Sequence, residues 1–189
     1  DMAESKAQKF SSNQHTFLTK RFDRTTEGQR IHFASAMTLL GYTDGTDASS
    51  GVSYLELVDF ITKNGANPAS DLKQLWRRIV FSICVSNTDD HLRNHGFLLT
   101  EKGWELSPAY DINPVETGVG LKLNISEDDN SLDLDLATQV APYFRTAQDE
   151  ADTIINDIIK IVSHWRDYAN KYKISRLEQE NKADAFIRV

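Results

Sequence analysis

Ser86-Asn87-Thr88-Asp89-Asp90-His91-Leu92-Arg93-Asn94-His95 stands between two apolar runs of different period. Before it, Leu72, Leu75, Trp76, Ile79, Val80 and Ile83 recur at helical spacing, with Pro68, Ser70 and Asp71 as a start signal. A helix is therefore predicted over about 70–85. After it, Gly96-Phe97-Leu98-Leu99 and Trp104-Glu105-Leu106 flank Thr100-Glu101-Lys102-Gly103, which has turn chemistry. A β-hairpin is predicted over about 96–107. Helix, polar loop and hairpin in direct succession point to an α+β fold.

Outward from this stretch the chain reads mainly as helix. Thr16-Phe17-Leu18-Thr19 is strand-like and leads into Lys20-Arg21-Phe22-Asp23-Arg24. A short helix fits about 29–40, stopped by Gly41. Ser53 with Glu56 reads as a capping box for a helix over about 54–63. A strand is expected within Gly118–Ser126, and a short helix over Leu132–Ala141. From near Thr146 a wide apolar stripe runs through Ala151, Ile154, Ile155, Ile158, Ile161, Val162, Trp165 and Tyr168 and is read as core. A charged helix at about 174–186 closes the chain. No domain boundary is visible within residues 1–189.

Composition narrows the function. With 40% apolar and 26% charged residues the chain of 189 can build a core. A net charge of −7 argues against general nucleic-acid binding, which needs surplus Lys and Arg. No apolar run approaches the ~18 residues of a membrane span. Cys84 is the single cysteine and lies in an apolar run, so it reads as a buried, inert thiol in a cytoplasmic protein. The chain opens on Asp1 with no signal peptide, and reads as a piece of a longer protein.

The polar loop carries the chemistry. Asp89 and Asn94 are five positions apart, and Asp111 follows seventeen residues later, past the hairpin. The order Asp-x-x-x-x-Asn, hairpin, Asp is the layout of a kinase phosphoryl-transfer site. One Asp accepts the proton of an attacking hydroxyl, here Asp89. An amide oxygen and a second carboxylate hold Mg²⁺, which prefers hard oxygen ligands, here Asn94 and Asp111. On the residues alone, a capped helix end followed by a turn reads equally well, since Asp and Asn favour turns.

Asn87 through Phe97, then Leu106-Ser107-Pro108-Ala109-Tyr110-Asp111-Ile112, closely resemble the HipA-type serine/threonine kinases, and Lys20 to Arg24 resemble that family's hinge segment. The resemblance covers most of the chain but only the C-terminal part of the family's fold. It implies the mostly helical C-terminal lobe of a HipA/lipid-kinase-like kinase fold, with a small β-hairpin at the catalytic site. It implies transfer of the ATP γ-phosphate, with Mg²⁺, to a protein serine or threonine. Family members are toxins of bacterial toxin–antitoxin systems, phosphorylate aminoacyl-tRNA synthetases and are neutralised by a small DNA-binding antitoxin.

Position by position, the resemblance makes Asp89 the catalytic aspartate and Asn94 and Asp111 the metal residues. It puts His91 near the phosphates, and the backbone of Lys20, Phe22 and Asp23 at the adenine. Residues 1–28 become the hinge-proximal segment. The N-terminal nucleotide lobe is expected to be absent, since no Gly-rich phosphate loop and no lysine-bearing strand precede the hinge. The helix after the hinge also departs from the family, reading Ala34-Ser35-Ala36-Met37-Thr38.

Two other readings stand beside the kinase. The chain is a non-catalytic docking module, or a metal-dependent phosphohydrolase that uses the Asp/His cluster with water as nucleophile. The acidic stretch Ser126–Asp135 lacks the Gly and Glu of a calcium loop, and His91 with His95 fall in a loop rather than on a zinc-binding helix face.

Overall fold

The computed structural model describes residues 1–10 and 15–186. Strands β1 (Ser5–Lys9) and β2 (His15–Thr19) pair antiparallel, and every residue of both is exposed. A two-stranded ribbon is marginal in water. This one is held at its base, where Ala3 N donates to Ala109 O and Lys20 N to Glu4 O, both at 2.8 Å.

The helix predicted over about 29–40 is half that length. Residues Phe33–Ser35 form strand β3, and helix α1 covers only Ala36–Leu40. Ser35 caps α1 by accepting from Thr38 N, and Gly41 ends it in a left-handed conformation at φ +76°. Strand β4 (Gly96–Thr100) pairs antiparallel with β3 on one side and with β5 (Gly103–Leu106) on the other. The predicted hairpin is therefore present as two strands of a three-stranded sheet.

Helix α2 (Tyr54–Asn64) starts at Ser53, whose backbone N donates to the Glu56 carboxylate at 3.2 Å, the return limb of a capping box. Helix α3 (Pro68–Cys84) places Pro68 in its first turn and Asp71 just behind, where a free donor end favours both. Leu72, Leu75, Trp76, Ile79 and Ile83 of α3 are fully buried, each contributing roughly 1.5–3 kcal/mol relative to exposure. Cys84 is buried as well, and burial pushes its thiol up to about 11.

Gly118–Ser126 is not a strand. Leu121, Leu123 and Ile125 are buried, but so is Asn124 between them. The segment's backbone bonds to loops and a helix start: Ala48 N donates to Lys122 O at 2.7 Å and Tyr54 N to Asn124 O at 2.9 Å.

Helix α4 (Leu134–Val140) lies within its predicted range, and Trp76 Nε1 donates to Ala137 O there at 2.9 Å. The long apolar stripe is split into α5 (Gln148–Val162) and α6 (Trp165–Lys171). The break falls where Ser163 Oγ donates to the Lys160 carbonyl and His164 Nδ1 lies 2.7 Å from it, competing for the oxygen of the last helical turn. The stripe is also not core throughout, because Ile161 and Tyr168 are more than half exposed. Helix α7 (Arg176–Lys182) and a 3-10 turn, Ala183–Phe186, occupy the last predicted helix. No helix among the described residues is long and apolar enough to cross a membrane.

Candidate functional site

The polar stretch leaves the buried end of α3 through Ser86, which holds a left-handed backbone at φ +50°. From there it is stitched to the chain that follows the hairpin. Buried Asn87 accepts from Asn113 N at 3.1 Å through Oδ1 and donates to Ser82 Oγ through Nδ2. Tyr110 donates its hydroxyl to Arg93 O at 2.6 Å, and Val115 N donates to Ser86 O at 3.1 Å. The loop with Asp89 and Asn94 and the loop with Asp111 thus form one unit, because the hairpin between them returns the chain.

Asn94 ends a 3-10 turn (Leu92–Asn94) and donates Nδ2 to Asp89 O at 3.1 Å. That bond fixes the amide, so Oδ1 is left as an oxygen donor that accepts no hydrogen bond among the described residues. Asp111 has a left-handed backbone, φ +55°, a conformation that Asp tolerates better than most residues. Its Oδ1 accepts from Asn113 Nδ2 at 2.9 Å. Asp89 is exposed, and its carboxylate has no hydrogen-bond partner among the described residues.

Among the described residues, three cavities border this unit, one of them a pocket of about 200 Å³ that Asp111 shares with Met2, Phe17, Tyr110 and Asn113 and with no other candidate site residue. The other two hold most of the candidate site residues. One, of about 470 Å³, is lined by Lys20, Phe22, Asp23, Phe33, Tyr110 and Asp111. Its volume lies in the range of small-molecule sites. Phe22 and Tyr110 lie with ring centroids 5.6 Å apart, and Phe22 and Phe33 6.0 Å, so three aromatic faces meet beside Asp111. Arg21 bonds the Asp23 carboxylate through Nε and Nη2, and with Arg24 beside it holds that carboxyl down at about 2. Lys20 itself points to Glu4, 3.1 Å away.

The second cavity, about 200 Å³, is lined by Asp89 and His91 together with Asp44, Asp47, Arg93 and Lys122. Asn94 lines neither and is 7% exposed. Of the seven residues singled out, Asp111 therefore shares a cavity with Lys20, Phe22 and Asp23, while Asp89 shares one with His91. Asn94 is joined to the second group through the Asp89 carbonyl. A larger groove, of about 720 Å³ between α3, α5, α6 and α7, is apolar and holds none of them.

Behind Asp89 lies a buried polar network. Asp90 Oδ2 accepts the Tyr54 hydroxyl at 2.6 Å, and Oδ1 lies 3.1 Å from His95 Nε2. Burial pushes the Asp90 carboxyl up, but His95, Tyr54 and Arg78 together outweigh it and hold it below the ordinary value. Arg78 is itself buried, which lowers its guanidinium to about 10, and it donates Nη2 to Ser107 O. Asp71 at the head of α3 accepts from Leu106 N at 3.0 Å. Helices α2 and α3, β5 and both site loops are thereby locked to one another.

The sequence marks Asp71 as a helix start and offers His95 only as a zinc ligand, with no hint of this network. Asp90 and His95 were visible as polar neighbours of Asp89 and Asn94. Nothing local marks Tyr54, Arg78 or Tyr110, whose partners lie far along the chain.

A family model described as HipA-like C-terminal domain matches residues 1–165. A protein of Haemophilus influenzae, named as a candidate kinase, is 29% identical over 101 residues, which are 50% of this chain and 29% of that protein. The candidate kinase Y4mE of Sinorhizobium fredii is 28% identical over 109 residues, 54% of this chain and 26% of that protein. A chain in the complex of HipA, HipB and operator DNA from the Shewanella oneidensis MR-1 toxin–antitoxin system aligns with a TM-score of 0.78 at 18% identity. The match covers 99% of this chain and 50% of that one. The fold is thus the α+β, mainly α, arrangement expected from the sequence. The chain spans about half the length of the solved relative, and its matched stretch less than a third of each curated one.

Proposed function

This chain belongs to the HipA-like C-terminal domain family, and from that premise we propose that it is the catalytic lobe of an ATP- and Mg²⁺-dependent serine/threonine protein kinase. The observation that carries the reading is the cavity in which Phe22 and Asp23 of the hinge segment meet Asp111. Three aromatic rings offer a base a stacking surface there, and the Asp111 carboxylate beside them is the group we assign to a phosphate-bound cation.

By its chemistry the donor pair suits Mg²⁺: Asn94 Oδ1 and Asp111 Oδ2 are hard oxygens that accept no hydrogen bond among the described residues, and they would hold the cation together with phosphate and water once the two loops close on it. A cation held by these residues would supply charge neutralisation at the phosphate oxygens. The chain's own part is positional. Asp89, exposed and unencumbered, orients the acceptor hydroxyl and takes its proton. His91 borders the same small cavity, and we assign it to the phosphates. The hinge backbone at Lys20, Phe22 and Asp23 holds the base.

The acceptor is a protein serine or threonine, an aminoacyl-tRNA synthetase being the family's example. The partner is a DNA-binding antitoxin, a proposal supported by the Shewanella complex, in which HipA stands with HipB and operator DNA. A second lobe, supplied by the rest of the protein, closes the nucleotide site.

The test is phosphate transfer and Mg²⁺-ATP calorimetry on the complete protein. Asp89→Asn is expected to lower kcat by at least about 10²–10³-fold with nucleotide binding retained. Asp111→Asn is expected to lose both transfer and Mg²⁺-dependent binding. Retained transfer in both variants would overturn the assignment. Release of phosphate from small esters without ATP would instead make the site a phosphohydrolase.

A further inference from the structure

The stretch past residue 165, where the family match ends, returns to the base of the candidate site. Ser86 is 1% exposed, and its Oγ donates to Ala185 O at 2.9 Å, a buried bond between residues 99 positions apart. Its carbonyl accepts from Val115 N. Ser86 therefore joins the loop that carries Asp89, the stretch that follows Asp111, and the 3-10 turn Ala183–Phe186. Lys182 adds a second tie, with Nζ 2.6 Å from the Glu116 carboxylate and 3.4 Å from Pro114 O. The turn is pinned in its place: Ala185 is fully buried, and Phe186 stacks on Trp165 with centroids 4.3 Å apart and planes at 11°.

A left-handed conformation at a non-glycine residue persists only where its surroundings hold it. At Ser86 that conformation sets the direction in which the chain leaves α3 toward Asp89. The two reacting loops are separate segments, and a misplacement of about 1 Å between them costs on the order of 10²-fold in rate. Among the described residues, the contacts given above for Ser86, Lys182 and Phe186 run to 114–116, Trp165 and Ala185 rather than to Lys20, Phe22, Asp23 or Phe33.

We propose that Arg176–Phe186 is a positioning strap. Through Ser86, Lys182 and Phe186 it fixes the Asp89 loop against the Asp111 loop, so that phosphoryl transfer, which needs both loops in register, depends on it far more steeply than nucleotide binding, which the rings of Phe22 and Phe33 also carry. This deepens the kinase reading and rests on it.

The experiment uses the complete protein with Phe186→Ala, Ser86→Ala and the conservative Phe186→Tyr. Amide hydrogen exchange is read over 86–95 and 111–116, kcat and the KM for ATP are measured, and thermal unfolding is followed. Faster exchange in both windows is expected for the two alanine variants, with α2 and α3 unchanged. Their kcat should fall at least tenfold, with the KM for ATP within twofold of wild type. Phe186→Tyr should restore kcat to within twofold.

Unchanged exchange over 86–95, or an unchanged kcat, would overturn the strap. So would a parallel loss of kcat and ATP affinity, which would mark general loosening of the fold. Should Phe186→Ala fail to fold, Ser86→Ala, which deletes one hydroxyl, decides. A wild-type protein without phosphate transfer would overturn the kinase reading, while the exchange result would still judge the mechanical tie.

Discussion

Asp90 is a buried carboxylate one residue from the proposed proton acceptor, so its partners set both stability and geometry. Because its folded-state value lies below the ordinary one, its stabilising contribution is complete above the unfolded value near 4 and is lost as pH falls through the folded value. Urea unfolding of wild type should therefore weaken below about pH 4. Asp90→Asn should flatten that slope and lower stability at pH 7 by about 3–5 kcal/mol, the cost of leaving Arg78 and His95 without their acid. An unchanged slope would show that Asp90 does not carry the acid sensitivity. The site residues that sequence displayed were those whose chemistry is local: Asp89, Asn94 and Asp111 stand out because polar loops between apolar elements are conspicuous. Tyr54 and Arg78 were hidden, since a buried tyrosine and a buried arginine look like any amphipathic helix positions until the chain is folded.

Elements with local signals were legible. Helix α2 announced itself by Ser53 and Glu56, and Ser53→Ala should cost about 1 kcal/mol in thermal unfolding. Helix α3 and the β4–β5 hairpin were equally clear. Strand β3 was not, because its three residues gain their form from pairing with β4 far along the chain, and the helical α1 follows at once. Gly118–Ser126 misled in the opposite direction: a strand is expected there, but Asn124 is buried along with Leu123 and Ile125, and loops satisfy the backbone. The β3–β4 contact also has a functional edge. A Cβ on Gly96 would sit 2.2 Å from Phe33 Cε2 and 2.9 Å from Ser107 Oγ. Phe33 is an exposed ring able to swing away, so Gly96→Ala should cost only about 1 kcal/mol in stability. It should nevertheless weaken Mg²⁺-ATP binding, because the displaced ring leaves the cavity. Calorimetry showing wild-type affinity would remove Phe33 from the nucleotide site.

Over the whole molecule, one core ties α2, α3, α4 and α5 to the sheet, and through Leu92 and Met37 it reaches the small cavity that holds Asp89. The hinge cavity is bounded by β2, β3 and the Tyr110 loop, and the proposed second lobe faces it. The isolated 189-residue chain is therefore expected to show no phosphate transfer from labelled ATP to a protein acceptor. Steady transfer by this chain alone would mean that the lobe is complete in itself. Fold class was legible in the sequence because the order helix, loop, hairpin is written locally. How the last helices return to the site was not, since that depends on where α5 breaks, and a continuing apolar stripe concealed the break.

Cys84 adds a built-in clock. It is the chain's single sulfhydryl, it is fully buried at the end of α3, and burial has raised it to about 11, so at pH 8 almost none is in the nucleophilic form while the fold stays shut. Any alkylating reagent must wait for that end of α3 to breathe. The labelling half-life, taken with and without a bound ligand, converts directly into the free energy of opening the floor beneath Ser86, with no engineered probe.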